Sequence, residues 1–336
     1  MNKIKKSAVL YHYPCPDGAF AALAANLYFS HCPTTAAATA LFFPNTVYSP
    51  LSVEDLPLNE IDRVYLLDFV GPPNFIQELS SKVKQIVVLD HHKTALEMLG
   101  SGTSISGNVI KVIDMKRSGA TIAYDYFKEK LLHGVVSSDK DGYQKGLQKF
   151  DRVRRLFEYI EDGDLWRWHL PNSKAFSSGL KDLNLEFNAR LNPSFFEQLL
   201  SLDVESLIRQ GTVSLSHKQM LIDEALEQSY EISLGGGAFG RCLALNADSI
   251  PELRSELGHQ LANKSRKRNL RGIGAVVYRL PELEDDELLK ISLRSIDSED
   301  TTLISKEYGG GGHQNASSFM LKSEEFQTWK PYHTST

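Results

Sequence analysis

The chain has 336 residues, 42% hydrophobic and 24% charged, the balance of a globular protein with room for about two domains. Its formal net charge of −5 argues against a binder of long duplex nucleic acid, which needs a basic face to release counterions, and leaves a small anionic ligand open. No apolar run approaches the ~18 residues that span a bilayer, and three cysteines without repeated spacing argue against a disulfide framework.

Strand-like sequence begins by residue 7, which leaves no space for a cleavable leader, so the expectation is a cytoplasmic protein with no membrane partner. In the first half, "SAVLYH", "RVYLLDF", "QIVVLDHH" and "NVIKVID" read as buried parallel strands. Helical stretches, among them residues 19–30 and 74–83, alternate with them and predict a doubly wound α/β sheet. Two helices follow, "GATIAYDYFKEKLL" and "FDRVRRLFEYIED", with the polar "HGVVSSDKDGYQKG" between them read as a flexible insert. Residues 193–229 are helical in pattern and end in one long connecting helix. After "GGGAFG", strands resume at "RCLALNA", "GIGAVVYRL" and "LLKISLRSI", with the helix "ELRSELGHQLANKS" between the first two. The expected organisation is a large α/β domain over 1–202, a helical linker over 203–234 and a smaller α/β domain over 235–325.

Polar residues gather where these strands end. His12 and Asp17 follow the first strand, Asp68 ends the second, and Asp90-His91-His92 ends the third. In an open parallel sheet, ligands bind outside the carboxyl ends of the strands. One such Asp is ordinarily a turn former or helix cap; three strands delivering carboxylates and imidazoles to one edge point to a cation. Mixed carboxylate and imidazole donors suit Mn²⁺, Mg²⁺, Fe²⁺ or Zn²⁺. Asp162 and Asp164, in "YIEDGDLWRW", end a helix and are candidates to close the site. Two ions bridged by one carboxylate would activate water for in-line attack at phosphorus.

Near the carboxyl end, "YGGGGHQNASSF" carries a glycine run whose backbone amides can approach an anion, with His313 and Asn315 as further donors. Glycine runs are also ordinary loops. Arg294, on a strand, either meets a phosphate or is solvated. The basic stretch over 264–271 lacks interleaved aromatics and reads as a solvated turn.

Together, "LLDFVG", "VVLDHHKT" and "YGGGGHQNASSF" resemble the DHH superfamily of phosphoesterases, in the branch with the glycine-rich DHH-associated C-terminal domain. The resemblance spans roughly residues 7–322 and is similar in motif order to bacterial nanoRNases that also dephosphorylate pAp. It implies metal ligands at His12, Asp17, Asp68 and His91, with Asp68 bridging. His92 faces the substrate beside Asp90, and both join Asp68 as candidate catalytic residues. Asp162 is the better match to the fourth motif and Asp164 the alternative. Phosphate binding falls on Arg294, Gly310, Gly311, Gly312 and His313, with Asn315 beside them. It also implies a Mn²⁺ cofactor, one or two ions with Mg²⁺ or another divalent in reserve, and a small nucleotide or very short oligonucleotide as substrate; a homodimer is possible. Cys15 stands where the family places an acid, and thiolate is a soft ligand poorly matched to Mn²⁺. That departure opens a second reading, a nucleotide-binding or regulatory protein with weakened catalysis; an inorganic pyrophosphatase is a third.

Overall fold

The structure, a computed structural model, describes residues 6–32, 40–46, 49–99, 107–134, 140–280, 283, 285, 287–296 and 298–331. It divides into two compact units, Met1–Ser214 and Leu215–Thr336.

The first unit is built from β1 (Lys6–His12), α1 (Pro16–His31), β2 (Ala40–Asn45), β3 (Ile61–Leu67), α2 (Phe75–Ser80), β4 (Gln85–Asp90), α3 (Lys93–Leu99) and β5 (Val109–Ile113). The helices α4 (Gly119–Gly134), α5 (Lys140–Asp164), α6 (Ser173–Asp182), α7 (Phe195–Ser201) and α8 (Val204–Glu227) follow, and the division between units falls inside α8. The five strands pair entirely in parallel in the order β2-β1-β3-β4-β5. The inner strands β1, β3 and β4 are largely apolar on both sides because both faces are covered, whereas the edge strand β5 is mostly exposed. Val9, Tyr11, Tyr65 and Leu67 pack under α1, α4 and α5, while Ala8, Leu10, Val64 and Leu66 pack toward α2 and α3.

Helix α1 enters through Pro16, whose fixed φ suits the first turn. It is apolar all round, as a helix enclosed between a sheet and two other helices must be. Strand β2, "ALFFPN", was not legible as a strand, and its Pro44 is tolerated because β2 is an edge. The polar stretch read as a flexible insert is helix from Lys140 onward; residues 135–139 lie outside the described residues.

The second unit contains β6 (Tyr230–Ser233), β7 (Arg241–Asn246), α9 (Arg254–Lys267), β8 (Ile273–Tyr278), β9 (Leu288–Ser295), α10 (Thr302–Glu307), β10 (Gly311–His313), β11 (Ala316–Lys322) and α11 (Ser323–Thr328). Its six strands run β10-β11-β9-β8-β7-β6, antiparallel except for β7 beside β8. One sheet face is closed by residues that include Ile304, Phe326 and Trp329. On the other face α9 lies over β7 and β8, and the last turns of α8 join it through Ile222. The fold is therefore two-domain α/β. Among the described residues no helix is long and apolar enough to cross a membrane.

Candidate metal centre

In the first sheet the strand order reverses direction of growth between β1 and β3, and the crevice outside the carboxyl ends at such a point is where ligands bind. His12 ends β1, and Asp17 lies in the first turn of α1. Asp68 follows β3 directly, Asp90 ends β4 with His91 and His92 next, and Asp164 is the last residue of α5. Gly18 allows this convergence: a Cβ there would stand 2.2 Å from the His12 carbonyl oxygen. Asp68 has φ +64°, a left-handed conformation that few residues other than Gly, Asn and Asp adopt readily. Such strain collects at sites where a side chain must be aimed.

Three sets of donor atoms result, each within 4.8 Å of one another: His12, Cys15 and Asp68; Asp68, His91 and His92; and Asp17, His91 and Asp164. Asp68 belongs to two sets and His91 to two. His12 Nδ1 is 3.1 Å from Asp68 Oδ2, and His91 Nε2 is 3.2 Å from Asp68 Oδ1, 3.6 Å from Asp164 Oδ2 and 3.7 Å from Asp17 Oδ2. Asp68 Oδ1 and Asp164 Oδ2 are buried and have no hydrogen-bond partner. A buried carboxylate oxygen left without a donor is costly. The carboxylate and imidazole set, with its orphaned oxygens, thus fits a divalent cation. Two cavities flank the cluster: one of about 440 Å³ lined by Cys15, Asp17, Asp164 and Phe176, and one of about 360 Å³ lined by His12, Asp68, Asp90 and His92.

The electrostatics point the same way. Burial, then the neighbouring Asp68 and Asp164 charges, push the Asp17 carboxyl well above the usual range. Burial also raises Asp164, against the pull of His91. Burial alone would raise Asp68 too, yet the His12 hydrogen bond and the adjacent His91 imidazole hold it below its ordinary value. Burial would lower His91, but Asp68 keeps it raised, and the Asp90 carboxylate lifts His92 to about 9. A carboxyl or imidazole with a raised folded pKa binds protons more tightly folded than unfolded, so the metal-free chain loses stability as pH climbs through that pKa. Asp68 acts oppositely, but only below the ordinary carboxylate range. A cation displaces those same protons. Thermal unfolding with and without manganese, followed from pH 5 to pH 8, should therefore show a metal-induced rise in midpoint that widens with pH. A constant or shrinking rise would count against the cluster as the binding site.

Asp162, the expected better ligand, is not in the cluster. Its Oδ1 accepts from His169 N–H at 3.0 Å and its Oδ2 from Leu170 N–H at 3.2 Å, so it shapes the loop after α5. Two residues further on, the helix end turns Asp164 toward His91. Asp90 belongs to none of the three donor sets: its Oδ1 accepts from the N–H groups of His91 and His92 and lies 2.8 Å from His92 Nδ1, which makes it a positioning residue. Sequence reasoning missed the groups that hold Asp17, where Gly119 N–H donates to Oδ2 at 2.7 Å and Ala120 N–H to Oδ1 at 3.0 Å. The positive end of α4 thereby faces a carboxylate. The Ser118-Gly119 pair at the helix start was the available signal. Glu161 ties this start to the end of α5, accepting from Ser118 N–H at 3.1 Å, from the Thr121 hydroxyl, and from Arg167 at 3.0 Å.

In the second unit the glycine run is an edge strand with its turns, not a loop. A Cβ on Gly310 would meet the Ser318 carbonyl oxygen at 2.1 Å and one on Gly312 the Ala316 carbonyl oxygen at 2.5 Å, so these glycines let β10 press onto β11. Gly311 is open. Asn315 donates to Ser295 Oγ at 3.0 Å, inside the unit, and so is not a free donor for a ligand. Arg294 and His313 both lie opposite Ala316, one strand to either side, and so share a sheet face with Ser292 and Ser318. Arg294 donates to Ser255 Oγ at 3.2 Å under α9. In the basic stretch, Arg271 is paired with Glu299 at 2.6 Å.

No family model matches the chain. It is 26% identical over 324 residues to the uncharacterized protein R106 of Acanthamoeba polyphaga mimivirus, covering 94% of this chain and 68% of that one. Similar solved structures include an exopolyphosphatase-related protein from Bacteroides fragilis, 15% identical with a TM-score of 0.34 over 97% of this chain and 91% of that chain. Another is PggH from Vibrio cholerae, a pGpG-specific phosphodiesterase, 10% identical with a TM-score of 0.41 over 96% of this chain and 94% of that chain.

Proposed function

We propose that the chain is a divalent-metal-dependent phosphoesterase acting on a small nucleotide or very short oligonucleotide, with manganese as its cation. The observation that carries this reading is the sharing of Asp68 and His91 among three donor sets at the crevice of the sheet, with buried carboxylate oxygens left unpartnered. His12, Asp17, Asp68, His91 and Asp164 would hold the cation, with Cys15 and His92 at its margin. When bound, it supplies Lewis acidity and lowers the pKa of water. Asp90 orients His92 within reach of the cluster and, in the metal-free chain, lifts it to about 9, which places His92 to give a proton to a leaving oxygen. The face of β9, β11 and β10 that carries Arg294, Ser318 and His313 offers donors suited to a phosphate.

Cys15 favours a second reading, a nucleotide-binding protein with weakened hydrolysis, because a thiol occupies one donor set. The purified chain with manganese, offered short RNAs, pAp, cyclic dinucleotides and pyrophosphate with products identified by mass, separates these. Release of nucleoside monophosphate or phosphate from the nucleotides is the expected result. Tight binding without turnover would support the second reading, and turnover of pyrophosphate alone would overturn both.

A further inference from the structure

Immediately after Asp164 the chain does something costly. Trp166 and Trp168 both have φ of +53°, a conformation that is a genuine outlier for bulky side chains. Trp166 is 78% exposed, the most exposed large hydrophobic side chain among the described residues. The loop that carries it is held from several sides. Asp162 accepts from the N–H groups of Arg167, Trp168, His169 and Leu170 through its backbone and carboxylate oxygens. Arg167 is pinned by Glu161 at 3.0 Å and by the Lys116 carbonyl oxygen. Trp168 is half-buried; its ring comes within 3.7 Å of the position a Cβ on Gly163 would take, and Lys174 Nζ lies 5.8 Å from its centre. Trp166 meets that ring edge to face at 5.6 Å.

The arrangement is a fixed prop with an uncovered indole upon it, two residues beyond a carboxylate of the metal cluster. Strain held by so many contacts marks a functional constraint rather than a loose surface loop. We infer that Trp166 is a stacking platform for a nucleobase, and hence that the substrate is a nucleotide with an unstacked base beside the scissile phosphate. An indole presents a flat π-face on which any base stacks, and the gain is largely independent of base identity. The platform would admit single-stranded ends and mononucleotides and give inorganic polyphosphates no advantage. The inference rests on the phosphoesterase reading for the phosphate and adds the base.

The test is calorimetric titration of the full manganese-loaded chain with AMP and with ribose 5-phosphate, which carries the same phosphate and no base. Phosphate release is followed in the same samples. AMP should bind about 10-fold tighter or more, the usual scale for one stacked base. Trp166→Ala should bring the two affinities to within about twofold by weakening AMP alone, and Trp166→Phe should keep most of the gap. AMP titration should quench tryptophan fluorescence in the wild type and not in Trp166→Ala. Equal affinities in the wild type, a gap that survives Trp166→Ala, or equal weakening of both ligands would overturn the platform. So would a Trp166→Ala chain that keeps the gap but dissociates in sedimentation, which would make Trp166 a contact between protein chains. Hydrolysis of nucleotides that needs Asp68 but not Trp166 would sink only this inference. Failure to hydrolyse any phosphoester, with the AMP preference intact, would sink only the catalytic reading.

Discussion

Asp68→Ala should lower manganese-dependent hydrolysis by about 10³-fold or more, because a shared ligand supports Lewis acidity worth several kcal/mol at the transition state. No other carboxylate in the cluster is placed as Asp68 is. Its Oδ2 lies 3.1 Å from His12 and its Oδ1 3.2 Å from His91, so its two oxygens face different imidazoles. The left-handed backbone at Asp68 aims it, and Gly119 makes room, since a Cβ there would stand 2.7 Å from Oδ1. A loss of activity alone would not separate a ligand from a structural residue. The deciding measurement is thermal unfolding across a manganese titration. A cation that binds only the folded chain stabilises it by mass action. The wild type should show a midpoint that climbs with manganese, and Asp68→Ala should keep a cooperative transition and lose the climb. Full hydrolysis in Asp68→Ala would end the proposal that Asp68 holds the catalytic cation. A metal-dependent midpoint that survives the substitution would remove Asp68 from the ligand set.

Cys15→Asp should raise manganese affinity by about 10-fold or more and lower affinity for zinc and cadmium, by exchanging a soft donor for a hard one. Cys15 precedes the first turn of α1, a position that ordinarily favours a thiolate. Here burial, followed by the charges of Asp68 and Asp17, pushes the thiol up to about 12. In the metal-free chain it is therefore a protonated thiol beside His12 and Asp68, and a soft cation bound there would strip the proton. Cadmium should produce a thiolate charge-transfer band in the wild type that is missing in Cys15→Asp and Cys15→Ser. Calorimetry should show the number of manganese ions bound rising in Cys15→Asp. Hydrolysis that rises in step would mean the thiol tempers the site, whereas unchanged affinity for manganese, zinc and cadmium would show that Cys15 is not a ligand.

Much of this site could be read directly from residue order. Apolar runs ending in His12, Asp68 and Asp90-His91-His92 predict parallel strands with their polar residues on one edge, because side chains at strand ends must face the crevice wherever the sheet is covered on both sides. The doubly wound first unit and the helix α8 follow from the same periodicities.

Tertiary structure alone decided the rest. Asp162 and Asp164 lie two apart on one helix end, and only the path of the following loop determines that the first binds backbone N–H groups while the second meets His91. The support of Asp17 by α4 joins residues more than 100 positions apart, a pairing that no local pattern encodes. The four glycines are alike in sequence, yet close packing against β11 separates Gly310 and Gly312 from the open Gly311. Composition and periodicity determine which residues reach an edge or a face. Which of two equivalent residues faces the site depends on contacts between distant segments, and those exist only in the folded chain.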